Sequence, residues 1–116
     1  MPNYEVNSSA VKHARKLIDG GKYDDKTEWS DAAPSADDAN KEIDKKSYDE
    51  FADWHLAIDK DASEGTKGRY RFPYGDFKKV NRAALIHAKQ RASQRDHKNI
   101  EKAADELLQY LDKKRD

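Results

Sequence analysis

Four stretches of the chain carry apolar residues at helical spacing, separated by polar runs. In "NSSAVKHARKLIDGG", Ala10, Val11, Ala14, Leu17 and Ile18 share one face at about 100° per residue, with Lys12, Arg15, Lys16 and Asp19 turned away. Ser8 or Ser9 is placed to cap this helix and Gly20-Gly21 to close it. In "SYDEFADWHLAID", Ser47 with Glu50 three residues on forms a capping-box pattern, and Tyr48, Phe51, Trp54, His55 and Ile58 follow on one face, predicting a helix that ends near Asp59. A third helix is expected from about Phe77 to Ser93, capped by Asp76, with Phe77, Val80, Ala84, Ala88 and Ala92 buried. Alternatively, Asn81 caps an offset helix starting at Arg82. The fourth begins at Asp96 and buries Ile100, Ala103, Ala104, Leu107, Leu108 and Leu111.

The link "SQRD" between the last two helices is short, so they are expected to form an antiparallel hairpin. Residues 22–46 have little apolar periodicity and read as a long, acidic, partly ordered connection with one marginal helix after Pro34-Ser35, either pinned by Tyr23 and Trp29 or functional. No segment alternates strictly as a half-buried strand does, although "YRFPY" is compatible with extended chain. The expected fold class is therefore all-α: a bundle of four to five helices forming a single domain over 1–116.

Composition narrows the function classes. The chain has no cysteine, which removes disulfides, thiol chemistry and Cys-ligated metals. The N-terminal residues show no basic stretch followed by an apolar run, and no segment approaches the ~20 apolar residues that span a bilayer, so a cytoplasmic protein without a membrane segment is expected. Net charge is zero, yet residues 1–65 hold 9 Lys+Arg against 16 Asp+Glu, a balance of −7, while 66–116 hold 14 against 7, a balance of +7. Either the halves neutralise each other in the fold, or a basic face is offered to a polyanion.

The candidate chemistry is uneven. His13, His55, His87 and His97 are isolated, with no H-x-x-x-H or H-E-x-x-H, and the paired acids at Asp24-Asp25, Asp37-Asp38 and Asp49-Glu50 sit in polar segments. Phosphate-binding and nucleophile-elbow motifs are absent, so no cofactor or catalytic residue is assigned. The positive signal is "KGRYRFPYGDFKKVNR", residues 67–82, with six basic side chains, four aromatic rings and a single acid, Asp76. Lys67, Arg69, Arg71, Lys78, Lys79 and Arg82, followed by Lys89 and Arg91, are the candidate phosphate contacts. Tyr70, Phe72 and Tyr74, with Phe77, are the candidate stacking rings. In the alternative reading the aromatics close the helical core and the cations pair with the acidic first half.

The stretches "ADWHLAID", "TKGRYRFPYGDFKKVNRAAL" and "IEKAADELLQYLDKK" resemble a family of small bacterial and haloarchaeal proteins with the order W-H-L, then T-K-x-R-Y-x-F-x-Y-G-D-F, then a Leu-rich end. No activity comes with that resemblance, and it implies no catalytic residue. "YRFPYGDFKKVNRAALIHAKQRA" is more weakly similar to the helical tail of phage head-maturation protease proteins. Sixteen Asp against seven Glu resembles haloarchaeal usage, whereas sixteen Lys and zero net charge depart from it.

The function expected is a non-enzymatic binding or interaction module, a monomer or weak homo-oligomer, whose partner is nucleic acid or an acidic protein. The rivals are a small metal-dependent or hydrolytic enzyme centred on His55 and a self-associating structural protein.

Overall fold

The first helix, α1 (Ser8–Asp19), lies where the periodicity places it, with Ala10, Ala14 and Ile18 buried. These coordinates are a computed structural model that describes residues 4–115, so residues 1–3 and 116 of the domain expected over 1–116 lie outside them. The cap differs from expectation. Asn7 occupies the N-cap position without a capping bond, and its amide is used elsewhere. Ser9 instead donates to Asp53 Oδ1 at 2.6 Å.

The fold is not all-α and is not a helical bundle. Among the described residues six helices are joined by two small sheets. Strands β1 (Tyr4–Val6), β3 (His55–Asp59) and β4 (Tyr70–Pro73) form an antiparallel sheet in the order β1-β3-β4. Its register pairs Glu5 with Ile58 and Ala57 with Arg71. Strands β2 (Tyr23–Asp24) and β5 (Val80–Asn81) form a parallel pair. Helix α1 and the last helix, α6 (Lys98–Arg115), both pack against β3.

The central correction is β3, which replaces the second half of the helix expected over 47–59. Only α4 (Tyr48–Ala52) forms, with the Ser47 hydroxyl accepting from the Glu50 N–H at 3.2 Å. Beyond it the carbonyls that a longer helix would have used are taken by distant donors. Asn7 Nδ2 donates to Ala52 O at 2.9 Å and to His55 O at 3.2 Å. Tyr74 donates its hydroxyl to Asp53 O at 2.6 Å and its backbone N–H to Trp54 O at 3.2 Å. Every orphan carbonyl at a helix end needs such a partner, and here the partners lie far away in sequence. Because β3 is central, His55, Leu56 and Ala57 are all buried, so "HLA" shows no alternation.

A second correction concerns residues 76–81. Asp76 Oδ1 does accept from the Lys78 and Lys79 N–H groups at 3.0 and 2.9 Å, as an N-cap would. The chain then folds back instead of continuing as a helix: Asp76 N–H donates to Lys79 O at 3.3 Å, and Val80 N–H donates to Lys22 O at 3.1 Å. The helix starts at the alternative position, α5 (Arg82–Gln94), capped by Asn81, whose side chain accepts from the Ala84 N–H at 2.8 Å.

The acidic connection is more ordered than its composition suggests. It holds β2, a single turn of helix α2 (Trp29–Ala32) and α3 (Ala36–Lys45), the last fixed by a reciprocal Ser35–Asp38 capping box. Neither helix contains a buried residue.

The C-terminal hairpin forms as expected. Arg82 bonds Asp112 and Lys89 bonds Asp105, so the partner on α6 recedes as α5 advances, which is antiparallel register. The alanines at 84, 88 and 92 are at most 2% exposed and let the two helices approach closely. Helix α5 ends in a Schellman arrangement, with His97 N–H donating to Ala92 O at 2.8 Å and Asp96 at φ 59°. Asp96 therefore ends α5 and does not begin α6.

Tyr74 ties these parts together. It is fully buried, its ring is stacked on Trp54 at 5.5 Å between centroids, and its hydroxyl lies 2.9 Å from His13 Nδ1. Burial pushes its phenol well above the ordinary range. Tyr74→Phe is expected to cost about 1–3 kcal/mol, since it removes the 2.6 Å bond to the half-buried Asp53 carbonyl and leaves that oxygen only the longer 3.3 Å contact with His13 Nδ1. Urea denaturation checks this, and a change below about 0.5 kcal/mol contradicts it.

Candidate binding cleft

The basic-aromatic stretch does not form one surface. Around α5, Arg82 and Lys89 lie within about 20° of each other, while His87, Arg91 and Arg95 project from the opposite side of the axis. The first pair faces α6. Arg82 is bidentate on Asp112, at 2.7 and 3.0 Å, and Lys89 Nζ is 2.8 Å from Asp105 Oδ1. The hydrogen bond to Asp112 raises the Arg82 pKa, and the bond to Asp105 raises that of Lys89. The cationic ridge is thus occupied by acids of the C-terminal half itself. The first half's acids Asp19 and Asp25 take Lys114 and Arg115 instead.

Lys78 and Lys79 sit exposed on the turn after Gly75, and Lys79 acts electrostatically on Asp24. The Asp24 carboxylate accepts from Thr27 and from the Lys26 and Thr27 N–H groups, which holds its pKa down at about 2. Lys67 and Arg69 belong to a single 3-10 turn (Lys67–Arg69), where Arg69 donates to Ala62 O at 2.9 Å. Tyr74, enclosed in the core, presents no face to a ligand. Phe77 packs half-buried between Phe51 and Trp54.

What the fold does bring together is a cleft of about 790 Å³ between β4 and the second half of α5. Four of the sequence candidates line it: Arg71, Arg91, Tyr70 and Phe72. Sequence reasoning missed the others. Arg95, His87 and His97 add basic groups, and Tyr4 and Trp29 add rings. The signal for two of them was present in the spacing, since His87, Arg91 and Arg95 recur at helical intervals. The helix runs to Gln94, with Arg95 as its C-cap, past the expected end at Ser93. Trp29, expected to pin the connection unless that loop is itself functional, lies half-buried on the wall of this cleft.

Three arginines and one carboxylate, Asp96, therefore line the cleft. None of the three forms an ion pair within 4.0 Å among the described residues, although Arg71 Nε donates to Gly68 O at 3.0 Å. One end is an aromatic cluster in which Tyr4 meets Phe72 edge-on at 5.7 Å and His97 at 4.5 Å. Phe72 adopts φ 61°, a left-handed conformation that bulky side chains rarely take and that costs on the order of 1–2 kcal/mol. Strain of this kind concentrates where a side chain must be aimed.

His55 lines the same cleft from β3. Its Nδ1 lies 2.9 Å from Phe51 O, and since a carbonyl only accepts, Nδ1 carries the proton. Burial lowers its pKa to about 4, against the smaller opposing effect of the Phe51 hydrogen bond. A base that weak contributes little to proton abstraction near neutrality. Among the described residues there is no group of three or more His, Asp or Glu placed to hold a metal ion. No helix is long and apolar enough to cross a membrane there either.

With that geometry in view, comparison with protein-family models, curated proteins and solved structures gives no match.

Proposed function

We propose that the chain is a non-enzymatic binding domain of the cytoplasm that takes nucleic acid into the cleft between β4 and α5. The observation that carries this reading is the convergence of Arg71, Arg91 and Arg95, free of carboxylate partners among the described residues, with the rings of Tyr4, Trp29, Tyr70 and Phe72. Guanidinium groups suit phosphate oxygens, and half-exposed rings suit unpaired bases. The kinship with the small prokaryotic family bearing the W-H-L and Y-G-D-F pattern is part of the same proposal and assigns no activity to it.

The test is a titration with single-stranded oligonucleotides at low and moderate salt, read by Trp29 fluorescence, since Trp54 is buried and Trp29 lines the cleft. Three phosphate contacts predict a salt slope of about −2 on logarithmic axes. Arg91→Glu combined with Arg95→Glu is expected to weaken binding at least about tenfold, a loss on the order of 1.4 kcal/mol. Lys78→Glu with Lys79→Glu should leave binding nearly unchanged. Absence of salt-dependent binding at tens of micromolar protein rejects the proposal.

A further inference from the structure

We infer that His55 Nε2 is a built hydrogen-bond acceptor for the Watson–Crick edge of an unpaired base held in the cleft. This rests on the nucleic-acid reading above and makes it specific. His55 is only 7% exposed, yet its Nε2 has no hydrogen-bond partner among the described residues. That nitrogen also keeps some contact with solvent, since among the described side-chain atoms only Glu42 Oε2, 3.4 Å from Lys46 Nζ, is closed off without a hydrogen bond. The cavity that His55 lines is the arginine cleft, where the Tyr70 ring lies 6.3 Å from the imidazole.

The tautomer decides the chemistry. With Nδ1–H committed to Phe51 O, Nε2 offers a lone pair and no proton, so it rejects a carbonyl or phosphate oxygen and accepts an N–H. A polyanion without donors, such as polyphosphate, satisfies the arginines and leaves this nitrogen empty. An unpaired base satisfies both: its phosphate reaches the arginines, its ring lies against the aromatic wall, and its edge donates to His55. In a duplex that edge is already consumed by pairing, so the arrangement favours single strands even though a duplex has the denser charge.

Thymine makes the test clean because N3–H is the sole donor on its pairing edge. Wild-type protein is titrated with an oligothymidylate, with the same oligomer carrying N3-methylthymine, and with a duplex of equal length. We expect methylation to weaken binding about fivefold to tenfold, the loss of one hydrogen bond with a buried partner. The duplex should bind more weakly than the single strand at the same salt. His55→Phe, which keeps a ring but no acceptor, should bind the two single strands equally. Should that variant fail to fold, the comparison on wild-type protein still decides. Salt-dependent binding that is equal for the methylated and unmethylated strands overturns the role of His55 and leaves the cleft proposal standing. No salt-dependent binding of any strand overturns both.

Discussion

Gly75→Ala is expected to destabilise the domain by about 3 kcal/mol or more, a larger effect than most single substitutions on this chain. A Cβ at this position would run into the Lys79 carbonyl and stand 2.7 and 2.9 Å from Cζ3 and Cε3 of Trp54. Neither neighbour can yield cheaply. Lys79 O accepts the N–H of Asp76 and closes the turn. The Trp54 indole is stacked on Tyr74 on one side, meets His13 edge-on at 4.8 Å and meets Phe77 edge-on at 6.1 Å. Overpacking of a filled core typically costs about 1–3 kcal/mol, and a rigid backbone oxygen in the clash raises it. The backbone of Gly75 is not in the left-handed region, so the cost is one of space. Gly68→Ala supplies the contrast, because nothing lies within 4 Å of its added Cβ. That variant should stay within about 0.5 kcal/mol of wild type. Paired denaturation curves check both; a Gly75→Ala loss below about 1 kcal/mol would show that the turn can shift, and β4 with it.

The same turn explains how much of the fold was legible. Periodicity reports the face a helix buries, so α1 and the α5–α6 hairpin could be read from spacing alone, and the small helix after Ser35 from its Pro34-Ser35 start signal. The strands could not. β1 has three residues and β2 and β5 two each, too few to show a period. β3 is covered on both sides, and the donors that stop α4 at Ala52 are Asn7 and Tyr74, 45 residues from Ala52 and 21 from Asp53 respectively. A helix from Tyr48 to Asp59 was the best local answer, and distant hydrogen bonds overrode it. The cleft was legible in composition but not in membership. Charge counts mark Arg71, Arg82, Lys89 and Arg91 equally, whereas only the orientation of α5 separates Arg91 from the two cations already bound to Asp112 and Asp105.

Acid should weaken the domain through His55 well before its carboxylates protonate. The imidazole has a folded pKa of about 4 against an ordinary 6.5. Between those values the unfolded chain binds a proton that the folded chain refuses, so stability falls as pH drops through this window and the loss is complete below about 4. At 1.36 kcal/mol per pKa unit the loss is about 3 kcal/mol. The refusal comes first from burial between the Phe51 and Tyr70 rings. The Phe51 carbonyl, which accepts from Nδ1, opposes it with a smaller effect. Asp24 behaves oppositely in position: its folded pKa of about 2 lies below the ordinary 3.8, so its contribution persists until the pH falls under 3.8. The two groups therefore separate on a stability profile. Urea denaturation at pH 6.5 and near 4 should show the loss in wild type and its near absence in His55→Phe. The His55 Cε1–H resonance should titrate near 4. A midpoint near 6.5 would mean that the ring is open to water and that Nε2 can exchange its role from acceptor to donor around neutrality. A low midpoint keeps that nitrogen an acceptor throughout the neutral range, the condition on which reading a base edge depends.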